Sequence, residues 1–425
     1  MKGFTLTIFL FLLIFFSLSF LHANDSVNPM SSSSSTDPIE LKLALIGPGD
    51  ELYFWWGHIG LVVEDITGQS WFFDWGVFDF HAENFFINFA MGRLYYYCAA
   101  SPSRFNFEHL SASNRDIILY TLDLPMEKKM EIIRFAENNI LPENRTYNYH
   151  HFRDNCATRI RDIIDIAVDG QFSAAFGNAG GRFTLREHIR RHTWFNPFID
   201  WLLNYLMGRN IDEPITVWEE MFLPSEIILR ALDFQYTDNE GRQRDLIKNM
   251  EIINLSVNRP IVIEESGPLW PYMLIFSSLI SISLFIFFKF AAGKKWFRPV
   301  LSSFIISIGA FFGFVGSVLF FMTFLSDHDY TYNNINIIFV NPFWFLAIPF
   351  GIKLRFSKLE NKTLKSIALL RVLFSYVFLA AFLALIVSFF PAHYQDNLTS
   401  IVLVMPISLV LTVIMSIYYW RRVRA

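Results

Sequence analysis

Five apolar runs, at about 269–290, 300–325, 337–354, 366–390 and 398–420, constrain this chain more than any other feature. Each approaches the ~20 residues that a helix needs to cross a bilayer. Inside hydrocarbon the backbone must satisfy its own polar groups, which leaves helices or closed barrels. Residues 266–425 are therefore expected to form an α-helical transmembrane bundle of about five helices. Lys294, Lys295 and Arg298 follow the first run, Lys353, Arg355, Lys358, Lys362 and Lys365 the third, and Arg421, Arg422 and Arg424 the last. The alternate loops, "SDHDYTYNNIN" and "PAHYQDN", contain neither Lys nor Arg. Basic loops remain on the cytoplasmic side. The C-terminus is thus expected inside, and the two loops without Lys or Arg outside.

The N-terminus leads to the same orientation independently. "MKGFTLTIFLFLLIFFSLSFLHA" has a positive start at Lys2, an apolar run to about Phe20 and a small residue at Ala23. These are the marks of a secretory signal peptide, residues 1–23. No cysteine follows it, so the chain is not itself expected to be a lipoprotein. A Ser-rich linker, 24–39, has no means of building a core. Residues 40–262 are mixed in composition and read as an exported catalytic domain. Export followed by an odd number of crossings again puts the C-terminus inside. The formal net charge of −4 is too near neutral to suggest a nucleic-acid partner.

Within the exported domain, "IELKLALIGPGDELYFWWGHIGLVVED" reads as a strand, a Pro-Gly turn and a second strand around 59–63. "QSWFFDWGVFDF" and "RLYYYCAAS" read as further strands, and "ENFFINFAMG" as a short helix closed by Gly92. Pro125 opens a helix with Met130, Ile132, Ile133 and Phe135 as its apolar residues. Another follows Asp154, with Ile160, Ile163, Ile164 and Ile166 partly forming its stripe. The pattern is α+β. "HTWFNPFIDWLLNYLMG", 192–208, fits either a core helix or one lying on the membrane surface.

Chemistry centres on "YNYHHFRDNCATRIRDII", which holds Cys156, one of two cysteines. An exported domain meets an oxidising compartment, so a disulfide to Cys98 is one reading. A metal site with neighbouring histidines is another, although no spacing typical of zinc is present. A buried inert thiol is a third. The fourth is a nucleophile. Asp154 as N-cap would set Cys156 in the first helical turn, where free N–H groups and the helix dipole favour a thiolate. His58, at the start of an apolar strand in "WWGHIGLVVED", is the best-placed imidazole to take the proton. Arg159 and Asp162 suit a local helix pair.

These blocks, "PGDELYFWWGHIGLVVED", "WFFDWGVFDF" with "NFFINFAMGRL", "YNYHHFRDNCATRIRDII" and "EEMFLPSEI", resemble the N-terminal periplasmic domain of the Lnb-type bacterial lipoprotein N-acyltransferases. The resemblance spans most of 40–235, and "SDHDYTYNNINIIFVNPFW" is similar to the family's outer-loop pattern. It implies a permuted papain-like (NlpC-like) fold in which the catalytic His precedes the Cys, an order shared with lecithin:retinol acyltransferase-like enzymes. It implies Cys156 as nucleophile and His58 as general base. Asp74, on the next strand, falls where permuted papain-like folds place the orienting residue; the family often carries Asn there. The implied reaction moves a fatty acyl chain from a membrane phospholipid, through a Cys thioester, to the N-terminal amine of a lipoprotein, with no cofactor or metal. The implied location is the bacterial inner membrane, with the N-terminal domain in the periplasm. The backbone N–H of Cys156 would stabilise the oxyanion.

His328, Asn334, Asn336 and Asn341 form a polar cluster expected at the outer surface. It is either an ordinary hydrated loop or a contact for substrate headgroup or peptide below the thiolate. Asn341-Pro342 is expected to open an irregular turn. Two other functions fit the same residues. One is a periplasmic NlpC-like cysteine peptidase or amidase acting on cell-wall peptides, with water as acceptor. The other is a non-catalytic sensor or assembly factor with Cys98 and Cys156 oxidised.

Overall fold

Alternation in "IELKLALI" sends Leu41 and Leu43 to one face of a sheet and Ala44 and Ile46 to the other, all buried. The computed structural model describes residues 37–424, so the expected signal peptide and most of the Ser-rich linker lie outside the described residues. Strand β1 (Ile39–Ile46) pairs along its whole length with β2 (His58–Asp65), and β3 (Ser70–Val77) pairs with β2 in turn. With β4 (Leu94–Pro102), β5 (Ile117–Leu122), β6 (Thr146–Tyr149) and β9 (Ile247–Asn254) they make a seven-stranded antiparallel sheet in the order β6-β4-β3-β2-β1-β5-β9. Strands β7 (Gln235–Thr237) and β8 (Gln243–Asp245) form a separate hairpin.

Helices cover both faces of this sheet. Leu41, Leu43, Ile59, Leu61 and Phe73 pack with Ile132 and Ile133 of the helix Met126–Asn139 and with Ile160, Ile163 and Ile164 of the helix Cys156–Ala167. Ala44, Ile46, Val62 and Phe72 meet Phe107 and Leu110 of the helix Ser103–Ala112. Of the isoleucines expected on the cysteine helix's stripe, Ile166 is exposed. Positions 160, 163, 164 and 167 share a face at helical spacing, and 166 falls outside it.

Five segments are long and apolar enough to cross a membrane: Trp270–Ala291, Phe297–Phe324, Ile335–Phe356, Glu360–Val387 and Leu398–Val423. The third is not one continuous helix. Short turns at Ile335–Ile338 and Pro342–Leu346 precede the helix Ala347–Phe356, and Asn341 opens the second turn by accepting from Phe343 N. The irregular turn expected at Asn341-Pro342 is present. It packs against the second span, where a Cβ on Gly316 would lie 2.6 Å from the backbone of Asn341 and one on Gly309 would lie 2.7 Å from Ala347 Cβ. Small residues at such crossings let two backbones approach.

From Ile39 onward the chain forms one compact unit, and the segment 192–208 is part of the reason. It is broken by Asn196, so that one helix ends at Thr193 and another runs Pro197–Leu206. Trp201 and Tyr205 of the second are buried among the apolar helices, and Trp201 stacks on Phe311 at 6.5 Å. Phe198 and Trp194 remain exposed. This helix does have a core face, but that face joins the core of the helical half and not that of the sheet.

Gly316→Val is expected to force the second and third spans apart, at a cost of about 1–3 kcal/mol or more. Thermal unfolding of the purified protein in detergent should show a lower midpoint. A midpoint equal to that of the native chain would contradict the close approach.

Candidate active site

Three elements bring three residues together. The helices of the sheet domain that bear on the site are α1 (Phe85–Ala90), α2 (Ser103–Ala112), α3 (Met126–Asn139) and α4 (Cys156–Ala167). Cys156 is the first residue of α4, which lies across β2 and β3. His58 is the first residue of β2, opposite Ile46 of β1. The strand starts there because Gly57 turns the chain at φ +74°, a left-handed conformation that other residues adopt rarely. Asp74 lies on β3, at a register shift in the pairing with β4 between Asp74 and Val77. Such bulges re-aim side chains.

The imidazole Nε2 of His58 lies 2.8 Å from Asp74 Oδ1, and Cys156 is near enough to act on the ring's charge. Burial opposes a charge on the ring, but the Asp74 carboxylate and then the Cys156 sulfur outweigh it and push its pKa up from 6.5 to about 10. Asp74 responds in the opposite direction. Burial alone would raise it, yet His58 and a hydrogen bond from Gly76 N hold it below the usual carboxylate range. Gly76 donates to Asp74 Oδ1 at 2.6 Å, and a Cβ there would lie 2.6 Å from His58 Cε1. The glycine thus serves twice, as donor and as space for the ring.

The helix cap is Asn155, not Asp154. Its side chain accepts from Thr158 N at 2.9 Å while Thr158 Oγ1 accepts from Asn155 N at 2.8 Å. Asp154 instead takes a two-pronged bond from Arg159 at 2.6 and 2.8 Å, and Asp162 pairs with Arg161. The Arg159–Asp162 pair expected from sequence is thereby replaced, because each arginine has a nearer carboxylate. The placement of Cys156 in the first turn survives the change of cap.

Both cysteines are free thiols. Cys98, buried in β4, has its pKa pushed up to about 12, by burial first and by Asp74 second. It is held as an inert protonated thiol. Among the described residues no group of three His, Cys, Asp or Glu side chains could hold a metal ion.

The expected outer-surface cluster is buried. Asn334 Nδ2 donates to Tyr205 O at 2.8 Å and Met207 O at 3.1 Å, and Asn336 Nδ2 donates to Tyr205 O at 3.0 Å. Asn341 Nδ2 donates to Ile337 O and to Tyr376 Oη, both at 3.0 Å. His328 Nε2 donates to Phe89 O at 3.1 Å, and its Nδ1 accepts from Tyr330 Oη at 2.8 Å. His328 borders the cysteine turn through Tyr330, which packs on His151 at 5.4 Å, while the three asparagines bond the backbone of 205–207 and 337–338. His328, Asn334 and Asn336 each give one nitrogen to a carbonyl of the sheet domain, two of them at a buried helix end that needs donors, while Asn341 bonds within the helical half.

Several residues at the site carried no sequence signal. Tyr96, Tyr147 and Tyr149 all feel the charge of Cys156. Tyr149 stacks on Tyr96 at 4.2 Å, and Tyr147 Oη donates to Trp75 O. Buried Arg115 lies over the Phe54 ring at 4.4 Å, and its charge reaches both Asp74 and Cys156. The helical half contributes too. Asp329 holds His150 at 2.8 Å and Arg153 at 3.1 Å, and Tyr330 packs on His151 at 5.4 Å. Tyr330 therefore flanks the turn that presents the sulfur. An apolar groove of about 500 Å³ lies between the first two spans, lined by Leu279, Phe287 and Phe304, and its lining holds none of these residues.

A free thiol at a helix start, an imidazole near it and a carboxylate bonded to the imidazole are the groups that a nucleophile–base–orienter set requires. The family model of the Lnb N-terminal periplasmic domain matches residues 29–191, which include all three. This match supports the Lnb-type family for the N-terminal region. No curated protein and no solved structure matches the chain. An Lnb periplasmic domain joined to five membrane-compatible helices makes this a multi-pass membrane protein.

The raised pKa of His58 couples the site to stability. A ring whose pKa is about 10 when folded and 6.5 when free contributes stability that is fully present below 6.5. That contribution erodes as pH rises and is gone above about 10. Asp74→Asn removes the chief cause of the rise, so denaturant midpoints measured across this window should fall less steeply in the variant than in the native protein. Equal slopes would show that Asp74 does not hold the charge on the ring.

Proposed function

We propose that this Lnb-domain protein is a cysteine-dependent acyltransferase that moves a fatty acyl chain from a phospholipid to the N-terminal amine of a lipoprotein. The observation that carries the proposal is the His58 ring bonded to Asp74 with Cys156 near it. A cationic ring beside a sulfur is the setting in which cysteine attacks as thiolate. The thiolate adds to the carbonyl carbon of the donor ester. The oxyanion forms near the first N–H groups of α4, which have no acceptor within the helix. The ester C–O bond then breaks, and His58 gives its proton to the departing lysophospholipid oxygen. A thioester and a neutral imidazole remain. The acceptor amine attacks the thioester, passes a proton to His58, and expels Cys156 as thiolate. An amide has formed and the starting charges are restored. His58 thus acts first as acid and then as base, which differs from the role of base alone expected from sequence.

This reading draws together the remaining features. The His-before-Cys order, with the nucleophile on a helix packed against an antiparallel sheet, supports a permuted papain-like fold. The contacts of Asp329 and Tyr330 with 150–153 keep the thiol close to the spans, which supports lipid-borne donors and acceptors. Holding the sulfur at the plane where both substrates reside raises their effective concentration. The positive-inside pattern supports a cytoplasmic C-terminus and an inner-membrane location.

Cys156→Ser and His58→Ala are each expected to abolish N-acylation, a loss of at least about 10²-fold. Cys98→Ser should leave it intact. Mass spectrometry of lipoprotein N-termini from cells carrying each variant reads the result. Free amines in the native strain, or equal loss with Cys98→Ser, would overturn the assignment. Altered wall peptides with unchanged lipoproteins would point to the peptidase instead.

A further inference from the structure

Between β3 and β4 the chain makes an excursion with an unusual surface. Helix α1, sequence "FFINFA", exposes Phe86 by 76%, Ile87 by 64% and Phe89 by 48%. It contains no charged residue. Its six residues rise about 9 Å, too little to span a bilayer and enough to lie at its surface.

The far end of this helix is fixed to the membrane half. Asp327 N donates to Met91 O at 2.7 Å, Arg93 pairs with Asp327 at 3.0 Å, and His328 holds Phe89 O. Gly92, at φ +79°, permits this approach, since a Cβ there would lie 2.9 Å from the backbone of Asp327 and His328. Asp327 comes just after the second span, which ends at Phe324. Helix α1 is therefore held at the level where a membrane-compatible helix ends. At that end of the span Phe320, Phe324 and Leu325 are exposed as well.

A line of rings leads inward from the helix. Phe85 stacks on Phe78 at 6.1 Å, Phe78 meets Tyr96 at 4.9 Å, and Tyr96 stacks on Tyr149 at 4.2 Å. Tyr96 and Tyr149 are the tyrosines that feel the charge of Cys156. Contiguous aromatic side chains thus run from α1 to Tyr149 at the end of β6, and the turn that follows, closed by His150 N on Asp154 O at 2.8 Å, leads to Cys156.

We propose that α1 dips into the outer leaflet and that the rings from Phe85 to Tyr149 guide the donor's acyl chain from the bilayer to Cys156. The occupant is membrane lipid, because the patch is held at the end of a span and carries no charge that would select a polar partner. The guiding role rests on the acyltransferase reading. The membrane contact of α1 does not.

Two measurements on the full-length protein in phospholipid vesicles test this. The first uses nitroxide labels at Phe86→Cys and Ile87→Cys in a Cys98→Ser, Cys156→Ser background, with Ile66→Cys as control. Ile66 is 70% exposed at the end of β2 remote from His58. Labels at 86 and 87 should be relaxed by oxygen more than by a water-soluble nickel chelate, and the label at 66 the reverse. Nickel-accessible labels at 86 and 87, or dipolar broadening between copies, would overturn membrane insertion. In the second, Phe86→Asp with Ile87→Asp should slow transfer from a long-chain phospholipid by about tenfold or more, through lost remote binding of the chain. Alkylation of Cys156 by iodoacetamide should not change. Equal loss of alkylation would overturn the guiding role and leave α1 a prop for the site. Absence of transfer by the native protein would count against the proposed function alone, and the labels would still decide the position of α1.

Discussion

A charge on a mostly buried imidazole is unfavourable unless something nearby answers it, and the site is built around that constraint. Only 16% of the His58 side chain is exposed, so desolvation alone would keep the ring neutral. Asp74 reverses the balance first and the sulfur of Cys156 second. Each group arrives on a different element: β2 for the ring, β3 for the carboxylate and α4 for the thiol. The arrangement exists only when the sheet is formed in register and α4 is packed across it. A single-residue slip of β3 against β2 would turn Asp74 to the opposite face. The Gly76 contact with the ring shows how little room the clamp leaves.

The same demand, that buried polar groups be answered, fixes the domain on its membrane support. The helix Pro197–Leu206 ends inside the interface, where its terminal carbonyls cannot reach water. Asn334, Asn336 and Gln395 supply the missing donors to Tyr205 O and Met207 O. Arg186 adds bonds to Met207 O and Gly208 O and is tied to Asp212 at 2.6 Å. Gly208 leaves no room for a side chain, since a Cβ would overlap Tyr332 O. Tyr205 O and Met207 O each take more than one donor, so they stay paired if one contact is lost, whereas leaving such a buried carbonyl with none would cost about 1–3 kcal/mol. The orientation of the sheet domain on the helices is therefore set by specific hydrogen bonds as well as by apolar contact.

Much of this was legible in the sequence, and the gaps share one cause. Hydrophobic runs located the five spans because length and apolarity are local properties, and strand patterning located β1 to β4 for the same reason. The placements of Cys156 at a helix start and His58 at the head of an apolar strand were read from their local settings. What stayed hidden depends on contacts between distant segments. Asp154 looked like the cap because its side chain suits that role, but Arg159 takes it and leaves the cap to Asn155. The asparagines of 334–341 read as solvated because loops usually are, and only the incoming end of the helix Pro197–Leu206 shows why Asn334 and Asn336 are buried. Gly76 and Tyr330 act on groups across the sheet and across the domain boundary, and no pattern in neighbouring residues marks them.

The two thiols show how far environment outweighs chemical identity. Cys98 and Cys156 are both buried and both belong to the same domain. Cys98 sits in mid-strand, where its backbone N–H is spent on Arg145 O and the carboxylate that acts on it is Asp74. Burial and that negative charge both penalise its thiolate. Cys156 opens a helix instead, and the imidazole of His58, bonded to that same carboxylate, lies near it. This is why the strand position of His58, set by the Gly57 turn, matters more to the chemistry than the presence of cysteine itself.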